Sequence, residues 1–221
     1  MVIKDRTTDL SLGSNYSEPL FADCPLDSVY IGGNIASRYG YSPFYRNTSL
    51  RSIVISDMED EISDYQFYGC TNLKNVSVGS GVKKIGNWAF SGCSNLDYFS
   101  FGKSVESIGE EAFSDCTNMT QLISHAVTPP SCGSQALDDI NKWNCTLKVP
   151  EGTNSLYLAA DQWKDFFFIE NVSNAINGVL IDSDDSNNDA PIYNLQGVKM
   201  QNSDNLPKGI YIKNGKKYYV K

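Results

Sequence analysis

The chain of 221 residues is 41% hydrophobic, which is enough apolar material for the core of one large domain or two modest ones. Its 18 Lys and Arg residues against 26 Asp and Glu residues give a formal net charge of −8. This charge disfavours nucleic acid and anionic lipid as partners, because both are negatively charged. No stretch has the apolar length that spans a bilayer, and the first 20 residues lack the basic-then-apolar layout of a signal peptide. We therefore expect either a cytoplasmic protein or a mature or truncated chain.

A repeat of 23 residues follows an N-terminal segment, residues 1–20, and organises most of the chain. Phenylalanine recurs at this interval at Phe21, Phe44, Phe67, Phe90 and Phe113. Cysteine recurs at Cys24, Cys70, Cys93 and Cys116, with Asn47 at the position between the first two. A fixed period of this length predicts a solenoid, in which each repeat is one coil that buries its apolar side against its neighbours.

Each repeat is predicted to contain one short strand. In "NLKNVSV", residues 72–78, Leu73, Val76 and Val78 point inward, and the end of the run alternates with period two. Stacked coils then place these strands in one parallel sheet, about 4.8 Å apart. The second half of the repeat, as in "VKKIGNWAF", predicts a turn, a brief extended piece and a single helical turn.

The repeat pattern fails after Leu122, in "SHAVTPPSCGSQ", where Pro129 and Pro130 disfavour another regular coil. We predict a C-terminal cap over about residues 125–171, with a strand at Thr146–Val149. A helix from about Asn154 to Phe166 is expected to follow. The side chains expected to cover the open end of the solenoid are Leu156, Ala159, Ala160 and Trp163.

Residues 172–221 have a different composition and predict a linker followed by a small all-β tail. The acidic run Asp182–Asp189 indicates a solvated linker. Three short strands are predicted in "PIYNLQGVKM", "GIYIKNG" and "KKYYVK". The pair Asn214 and Gly215 favours a tight hairpin between the last two strands.

These motifs resemble the BspA-like leucine-rich repeats that are common on the cell surfaces of Bacteroidota. The resemblance rests on "FYGCTNL", "AFSGCSNL", "AFSDCTNM" and the ending "LKVPEGTNSLYLAADQWKDF", and it covers residues 21 to about 171. It implies a curved right-handed solenoid at the cell surface or outside the cell. It also implies adhesion or binding to a protein or glycan, host matrix included, and no reaction. The tail is similar to the C-terminal tails of exported Bacteroidota proteins, which in some species serve as a secretion or anchoring signal.

The repeated cysteines are predicted to fill space rather than to react or bind metal. A position that is buried in every coil is that of a small hydrophobe, whereas a reactive thiol needs exposure and a neighbour that lowers its pKa. Cys132 and Cys145 lie outside the repeat. A disulfide between them would close a loop of about a dozen residues, and the sequence leaves this bond open, conditional on an oxidising compartment.

The sequence offers no metal, cofactor or catalytic motif. It has one histidine, His125, and no CxxC pair. The acidic run lacks the glycine and the distal glutamate of a helix-loop-helix calcium site. No Asp or Glu pair stands out for glycoside hydrolysis, so a glycan-active enzyme is the less favoured alternative; it would show two carboxylates about 5 to 9.5 Å apart. We expect no enzymatic activity.

The predicted binding surface is the open face of the sheet, where residues between the buried strand positions point outward in rows. The candidate residues are Tyr30, Arg51, Val54, Lys74, Ser77, Asp97, Tyr98, Ser100 and Thr120, with Ile123 continuing one row. Tyr30 and Tyr98 would add aromatic contacts to a ligand, or they are ordinary strand tyrosines, since aromatic residues favour strands. A structural spacer without a ligand would instead have a polar face with no patch.

Overall fold

A computed structural model of the chain shows stacked coils that form a parallel β-solenoid, which confirms the predicted fold. The structure describes residues 1–3, 10–11, 19–33, 35–36, 42–172, 192–194, 209–213 and 216–220. Two compact units divide the chain, Met1–Ser173 and Asn174–Lys221. The first unit holds the repeats and the cap.

One side of each coil contributes a strand to an eight-stranded parallel sheet. Its strands, in spatial order, are β1 (Val2–Ile3), β3 (Ser28–Ile31), β5 (Ser52–Ile55), β7 (Asn75–Val78), β9 (Tyr98–Phe101), β11 (Gln121–Ser124), β13 (Thr146–Val149) and β14 (Phe168–Asn171). Val76 is paired with Phe99, and Phe99 with Leu122, so the register follows the 23-residue repeat. The predicted strand of the repeat and the predicted cap strand are thus confirmed.

A second side carries the brief extended piece that the sequence predicts. It forms a four-stranded parallel sheet of β6 (Glu61–Ile62), β8 (Lys84–Ile85), β10 (Ser107–Ile108) and β12 (Ser131–Cys132). A separate parallel pair joins β2 (Leu10–Ser11) to β4 (Ile35–Ala36). Because each of these strands is only two residues long, the coil turns sharply on both sides of it.

The third side of the coil, here called the turn side, connects the short strand to the next long strand. Its backbone bonds run between coils: the Phe67 N–H donates to the Ala89 carbonyl at 2.8 Å, and the Phe90 N–H to the Ala112 carbonyl at 2.9 Å. Tight turns with left-handed residues stand here in place of the expected helical turn. These left-handed residues are Arg46, Tyr65, Trp88, Glu111, Asp115 and Gln135, with Gly69 and Gly92.

The core is one continuous cluster enclosed by the three sides. The repeated phenylalanines stack along the solenoid with ring centroids 5.2–5.5 Å apart. Phe44, Phe67, Phe90 and Phe113 are fully buried, whereas Phe21 in the first described copy of this ladder is half-buried. Each coil therefore depends on its neighbours for the burial of its largest side chain.

The cap differs from its prediction in the length of the helix and in the residues that cover the core. Helix α1 (Asn154–Ala159) ends seven residues earlier than expected, because Ala160 is extended and Gln162 adopts a left-handed conformation. Leu156 is 48% exposed and does not cover the core. Ala159 is exposed as well, whereas Trp163 is buried in the core as predicted and Ala160 packs against it. Tyr157 covers the core in place of Leu156.

Hydrogen bonds from two aromatic side chains tie the cap to the end of the last repeat and to the segment that directly follows it. The Tyr157 hydroxyl lies 2.6 Å from the Ser124 hydroxyl and donates to the Ala126 carbonyl at 2.8 Å. The buried Trp163 donates from Nε1 to the Pro130 carbonyl at 2.8 Å. The polar atoms that these aromatic side chains bring into the core are thereby satisfied, which is a condition for burying them.

The second unit contains a three-stranded antiparallel sheet of β15 (Ile192–Asn194), β16 (Gly209–Lys213) and β17 (Lys216–Val220). The three predicted tail strands are therefore present. The acidic run Asp182–Asp189 and the Asn214–Gly215 pair lie outside the described residues. Within the described ranges, no helix has the length and apolar character that crossing a bilayer requires.

Candidate binding surfaces

The outward positions of the large sheet form one continuous row, here called the outer row. Strand alternation creates it: in β5, Ile53 and Ile55 are buried and Val54 between them is exposed. Strand pairing then aligns Val2, Tyr30, Val54, Ser77, Ser100, Ile123, Lys148 and Glu170. The outer row thus brings the predicted residues Tyr30, Val54, Ser77 and Ser100 into one line.

The first three members of the outer row form an apolar strip. Val2 is 68% exposed and Val54 is 44% exposed, and Tyr30 lies between them, half-buried. The same row carries Ser77 and Ser100 in the next two coils. Since the solenoid accepts serine at this position, packing of the fold does not require the apolar side chains of the strip.

A second exposed row lies just before the strands and carries charge. Arg51 Nε is 3.8 Å from Asp27 Oδ1, and the Thr120 hydroxyl donates to Asp97 Oδ1. Lys74 occupies the position between Arg51 and Asp97 and is exposed. Such exposed ion pairs contribute only about 0–1 kcal/mol to stability, so these charges are not needed to hold the coils together.

Two predicted residues are placed differently from the rest of the set. Ser100 is only 8% exposed although it belongs to the outer row, whereas its neighbour Ser77 in the same row is exposed. Tyr98 belongs to another row, where it pairs with Asn75 and Gln121. Its strand is three strands from that of Tyr30, roughly 14 Å away at the usual strand spacing. The two tyrosines therefore do not form one aromatic contact site.

The repeated cysteines lie in the core, where their thiols act as hydrogen-bond donors. Cys93 Sγ donates to the Phe67 carbonyl at 3.2 Å, and Cys70 and Cys116 make the same bond to the phenylalanine carbonyl of their preceding coil. At the same ladder position, Asn47 donates from Nδ2 to the Phe21 carbonyl. The position thus provides a buried donor, a role beyond the space filling that the sequence predicts.

Burial makes these thiols chemically inert. It raises the pKa of Cys70 to about 12 and the pKa of Cys93 well above its usual value. The pKa of Cys116 is raised for the same reason. Because the thiolate is the nucleophile and the metal ligand, the ladder is unsuited to either chemistry.

Cys132 and Cys145 are both free thiols in the structure, and a disulfide between them in an oxidising compartment stays a prediction. Cys132 ends β12 in the four-stranded sheet, whereas Cys145 directly precedes β13 in the eight-stranded sheet. Desolvation raises the pKa of each thiol to about 12. Across the described part of the chain, no group of three or more His, Cys, Asp or Glu side chains is placed to hold a metal ion.

Thiol reactivity provides a direct test of this arrangement. In the native protein at pH 8, iodoacetamide is expected to modify the half-buried Cys24 within minutes and to leave Cys70, Cys93 and Cys116 unmodified, since they are buried and protonated. Peptide mapping by mass spectrometry measures each site, and labelling in guanidinium chloride is the control in which all six react. Modification of native Cys93 as fast as Cys24 would contradict the buried ladder.

The turn side carries a cluster of aromatic side chains that the sequence analysis missed, here called the aromatic cluster: Tyr45, Tyr65, Tyr68 and Trp88. Tyr45 stacks on Tyr68 with centroids 5.0 Å apart and an interplanar angle of 9°. Tyr65 stacks on Trp88 at 5.0 Å and 11°. The two pairs meet where Tyr65 and Tyr68 lie 5.8 Å apart at 56°. All four side chains are half-buried. The two residues of each stacked pair are 23 positions apart, and this spacing is the feature of the sequence that could have predicted the stacking.

Charged groups surround the aromatic cluster. The Arg46 guanidinium lies 5.2 Å from the ring centroid of Tyr45 and 6.0 Å from that of Tyr68. Asp64 is fixed beside the rings, because its Oδ1 accepts the Asn87 N–H at 2.7 Å. Burial raises the pKa of Tyr65, and the nearby charges of Asp64 and Glu110 raise it further. Aromatic surface and hydrogen-bonding groups therefore share one surface.

A groove of about 510 Å³ lies where the chain leaves the last repeat for the cap. Its lining includes Lys83, Lys103, Glu106, Val127 and Pro129. Glu106 is the one carboxylate in this lining, so the groove does not supply the pair of carboxylates that glycoside hydrolysis uses.

Leu50, Leu73 and Leu96 recur at the 23-residue interval and are fully buried, as are the repeated phenylalanines from Phe44 to Phe113. The stacked parallel coils and these two buried ladders define a leucine-rich repeat solenoid. The chain belongs to the family described as "BspA type Leucine rich repeat region", which matches it in six copies over residues 13–120 and 37–149. These matches span more than half of the chain. A comparison with curated proteins finds no match.

Three solved structures are similar to this chain at low sequence identity. A leucine-rich repeat protein from Bacteroides ovatus ATCC 8483 is 23% identical over 78% of this chain and 42% of its own, with a TM-score of 0.51. The T. pallidum leucine-rich repeat protein is 21% identical over 67% of this chain and 62% of its own, with a TM-score of 0.42. A leucine rich cell surface protein from Faecalibacterium prausnitzii A2-165 is 21% identical over 68% of this chain and 39% of its own, with a TM-score of 0.31. The chain spans less than two thirds of the length of each, and the first similarity supports the fold alone.

Proposed function

We propose that this chain is a non-catalytic binding module at the cell surface or outside the cell, and that it binds a protein partner through the apolar strip at one end of the outer row. The observation that supports this proposal most directly is the apolar strip of Val2, Tyr30 and Val54. These side chains lie side by side on three adjacent strands, on a side of the coil where serine serves equally well in later repeats.

The composition of the face favours a protein as the partner. A protein interface typically has an apolar and aromatic centre inside a rim of charged and polar groups. The apolar strip supplies the centre, and the exposed Arg51, Asp27 and Lys74, in the row just before the strands, supply a charged rim. A structural spacer would be expected to lack an apolar strip of this kind, since exposed apolar patches promote aggregation.

The proposed location rests on the family and on the tail. Repeats of the BspA type are common on bacterial surfaces, and the tail sequence, which includes the strands Gly209–Lys213 and Lys216–Val220, is similar to those of exported Bacteroidota proteins. We propose that the tail serves in secretion or anchoring, and that an extracellular matrix protein of the host is the partner. The strongly acidic chain is not expected to bind nucleic acid.

Binding to purified extracellular matrix proteins immobilised on a surface plasmon resonance chip tests this function. At least one of them is expected to bind the full chain, and the double variant Tyr30→Ser with Val54→Ser is expected to lower its affinity by about tenfold or more, because aromatic and apolar anchors carry most interface energy. The variant introduces the residue that the fold already uses at Ser77 and Ser100.

The matched control for this measurement is Ile123→Ser, which changes the same outer row three strands away from Val54. It is expected to bind as the unchanged protein does, and thermal melts should show that both variants stay folded. The proposal fails if no matrix protein binds, or if the double variant and the control have equal affinity.

A further inference from the structure

We propose that the aromatic cluster of Tyr45, Tyr65, Tyr68 and Trp88 on the turn side is a second binding site, and that its ligand is a neutral oligosaccharide. This site goes beyond the proposed function, because it lies on another side of the coil from the outer row. Three features of the cluster support this: the fold does not need these rings, hydrogen-bonding groups border them, and the local charge selects against anionic ligands.

The repeats themselves show that the fold does not need the rings. The positions of Tyr45 and Tyr68 are occupied by Ser91 and Ser114 in the next two coils. The position of Tyr65 and Trp88 is occupied by Glu111 in the following coil. The coil-to-coil bonds continue there unchanged, since the Glu111 N–H donates to the Ser134 carbonyl at 2.9 Å just as the Trp88 N–H donates to the Glu110 carbonyl at 2.9 Å.

The backbone makes these aromatic residues still less expected on structural grounds. Tyr65 has a φ of 58° and Trp88 a φ of 50°, both in the left-handed region. Bulky residues adopt this conformation at a cost, whereas glycine adopts it freely, as Gly69 and Gly92 do at the other left-handed position of the coil. Tyr65 and Trp88 stack on each other at these unfavourable backbone positions and still stay half-exposed, so they offer aromatic surface that a ligand can contact.

The chemistry around the rings matches that of a sugar. A pyranose presents apolar C–H groups on its faces and hydroxyl groups around its edge, so it requires aromatic surface next to hydrogen-bond acceptors and donors. The rings supply the apolar surface. The Asp64 carboxylate, held by its bond from the Asn87 N–H, and the neighbouring Glu110 supply acceptors, and charge-assisted bonds of this kind are the stronger class. The Arg46 guanidinium, over Tyr45 and Tyr68, supplies donors.

The charge balance selects a neutral ligand. Two carboxylates, those of Asp64 and Glu110, lie near the Tyr65 ring, and Glu111 takes the position of Trp88 in the next coil. The nearby positive group is the Arg46 guanidinium. The whole chain carries a formal charge of −8, which adds a general repulsion. Uronic acid polymers and other anionic glycans are therefore disfavoured, and the site fits a neutral chain lying along the stacked rings from coil to coil.

Affinity gel electrophoresis of the full chain tests this site with soluble galactomannan, xyloglucan and mixed-linkage β-glucan as probes, and with polygalacturonate as the anionic comparison. At least one neutral polysaccharide is expected to retard the protein, and polygalacturonate is not. Trp88→Gln is expected to weaken binding by about tenfold or more, because it removes one ring of a stacked pair. Glutamine is chosen because Gln135 adopts the same left-handed conformation two coils later.

Tyr68→Ser is the second variant, and it introduces the residue found at Ser91 in the next coil. Tyr30→Ser, on the outer row, is the matched control and is expected to leave the retardation unchanged while it lowers binding to the matrix protein. Thermal melts identify any variant that is unfolded. The proposal is overturned if no neutral polysaccharide retards the protein, if polygalacturonate does so instead, or if both cluster variants bind as strongly as the control.

Discussion

Phe90→Ala is expected to lower the free energy of unfolding by about 3–5 kcal/mol. The Phe90 ring is fully buried and stacks on Phe67 at 5.2 Å and on Phe113 at 5.5 Å, and it contacts the edge of Phe99 at 4.9 Å. Its removal leaves a cavity in the middle of the ladder, where coils on both sides lose a packing partner. Because coils of a solenoid are stabilised mainly by their neighbours, this loss is not compensated elsewhere.

Denaturation in urea, followed by circular dichroism, measures this effect. Phe21→Ala is the matched control, since Phe21 occupies the same ladder position but is half-buried and stacks on a single phenylalanine, Phe44. We expect the control to lose clearly less stability than Phe90→Ala. Equal losses for the two variants would show that the ladder does not stabilise the protein through burial.

Gly102→Ala is expected to lower the free energy of unfolding by about 3 kcal/mol, at the upper end of the range for overpacking. A Cβ atom on Gly102 would lie 2.0 Å from the Gly79 carbonyl oxygen of the preceding coil. The obstructing atom belongs to the backbone and cannot rotate away, so the two coils must separate. The neighbouring strands β7 and β9 would then lose hydrogen bonds as well.

The control for Gly102→Ala is Lys103→Ala, one residue further along the chain, where the side chain is exposed. Surface changes of this type usually alter stability by less than about 0.5 kcal/mol. Urea denaturation of both variants gives the comparison. If Gly102→Ala proves as stable as the control, the close approach of the two coils at this position is wrong.

The periodic part of the fold follows from the chain's own repetition. A residue type that recurs every 23 positions must occupy an equivalent environment in each coil, and the alternation around Val76 and Val78 identifies the strand within it. The hydrophobic effect favours burial of each side chain roughly in proportion to its apolar area, so the pattern of apolar residues alone indicated which side of each strand faces the core. The strand Thr146–Val149 in the cap followed from the same signal.

The cap was predicted less accurately from the sequence than the repeats were. The apolar spacing of residues 154–166 suggested a helix that covers the core with Leu156, but the chain leaves the helix at Ala160 and buries Tyr157 instead. Tyr157 can be buried because Ser124 and Ala126 lie within hydrogen-bond distance of its hydroxyl. These partners are about 30 residues away in the sequence, so no local pattern reveals them.

The aromatic cluster depends on folding in the same way. The spacing of Tyr45 from Tyr68 and of Tyr65 from Trp88 is visible in the sequence, but the meeting of the two pairs is not, since it requires left-handed backbone at Tyr65 and Trp88. Local propensity disfavours that conformation for large residues, and at both positions the backbone N–H donates to a carbonyl of the next coil. Repetition in the chain therefore fixed the coil and its interior, whereas contacts between neighbouring coils created the exposed surfaces on which binding is proposed.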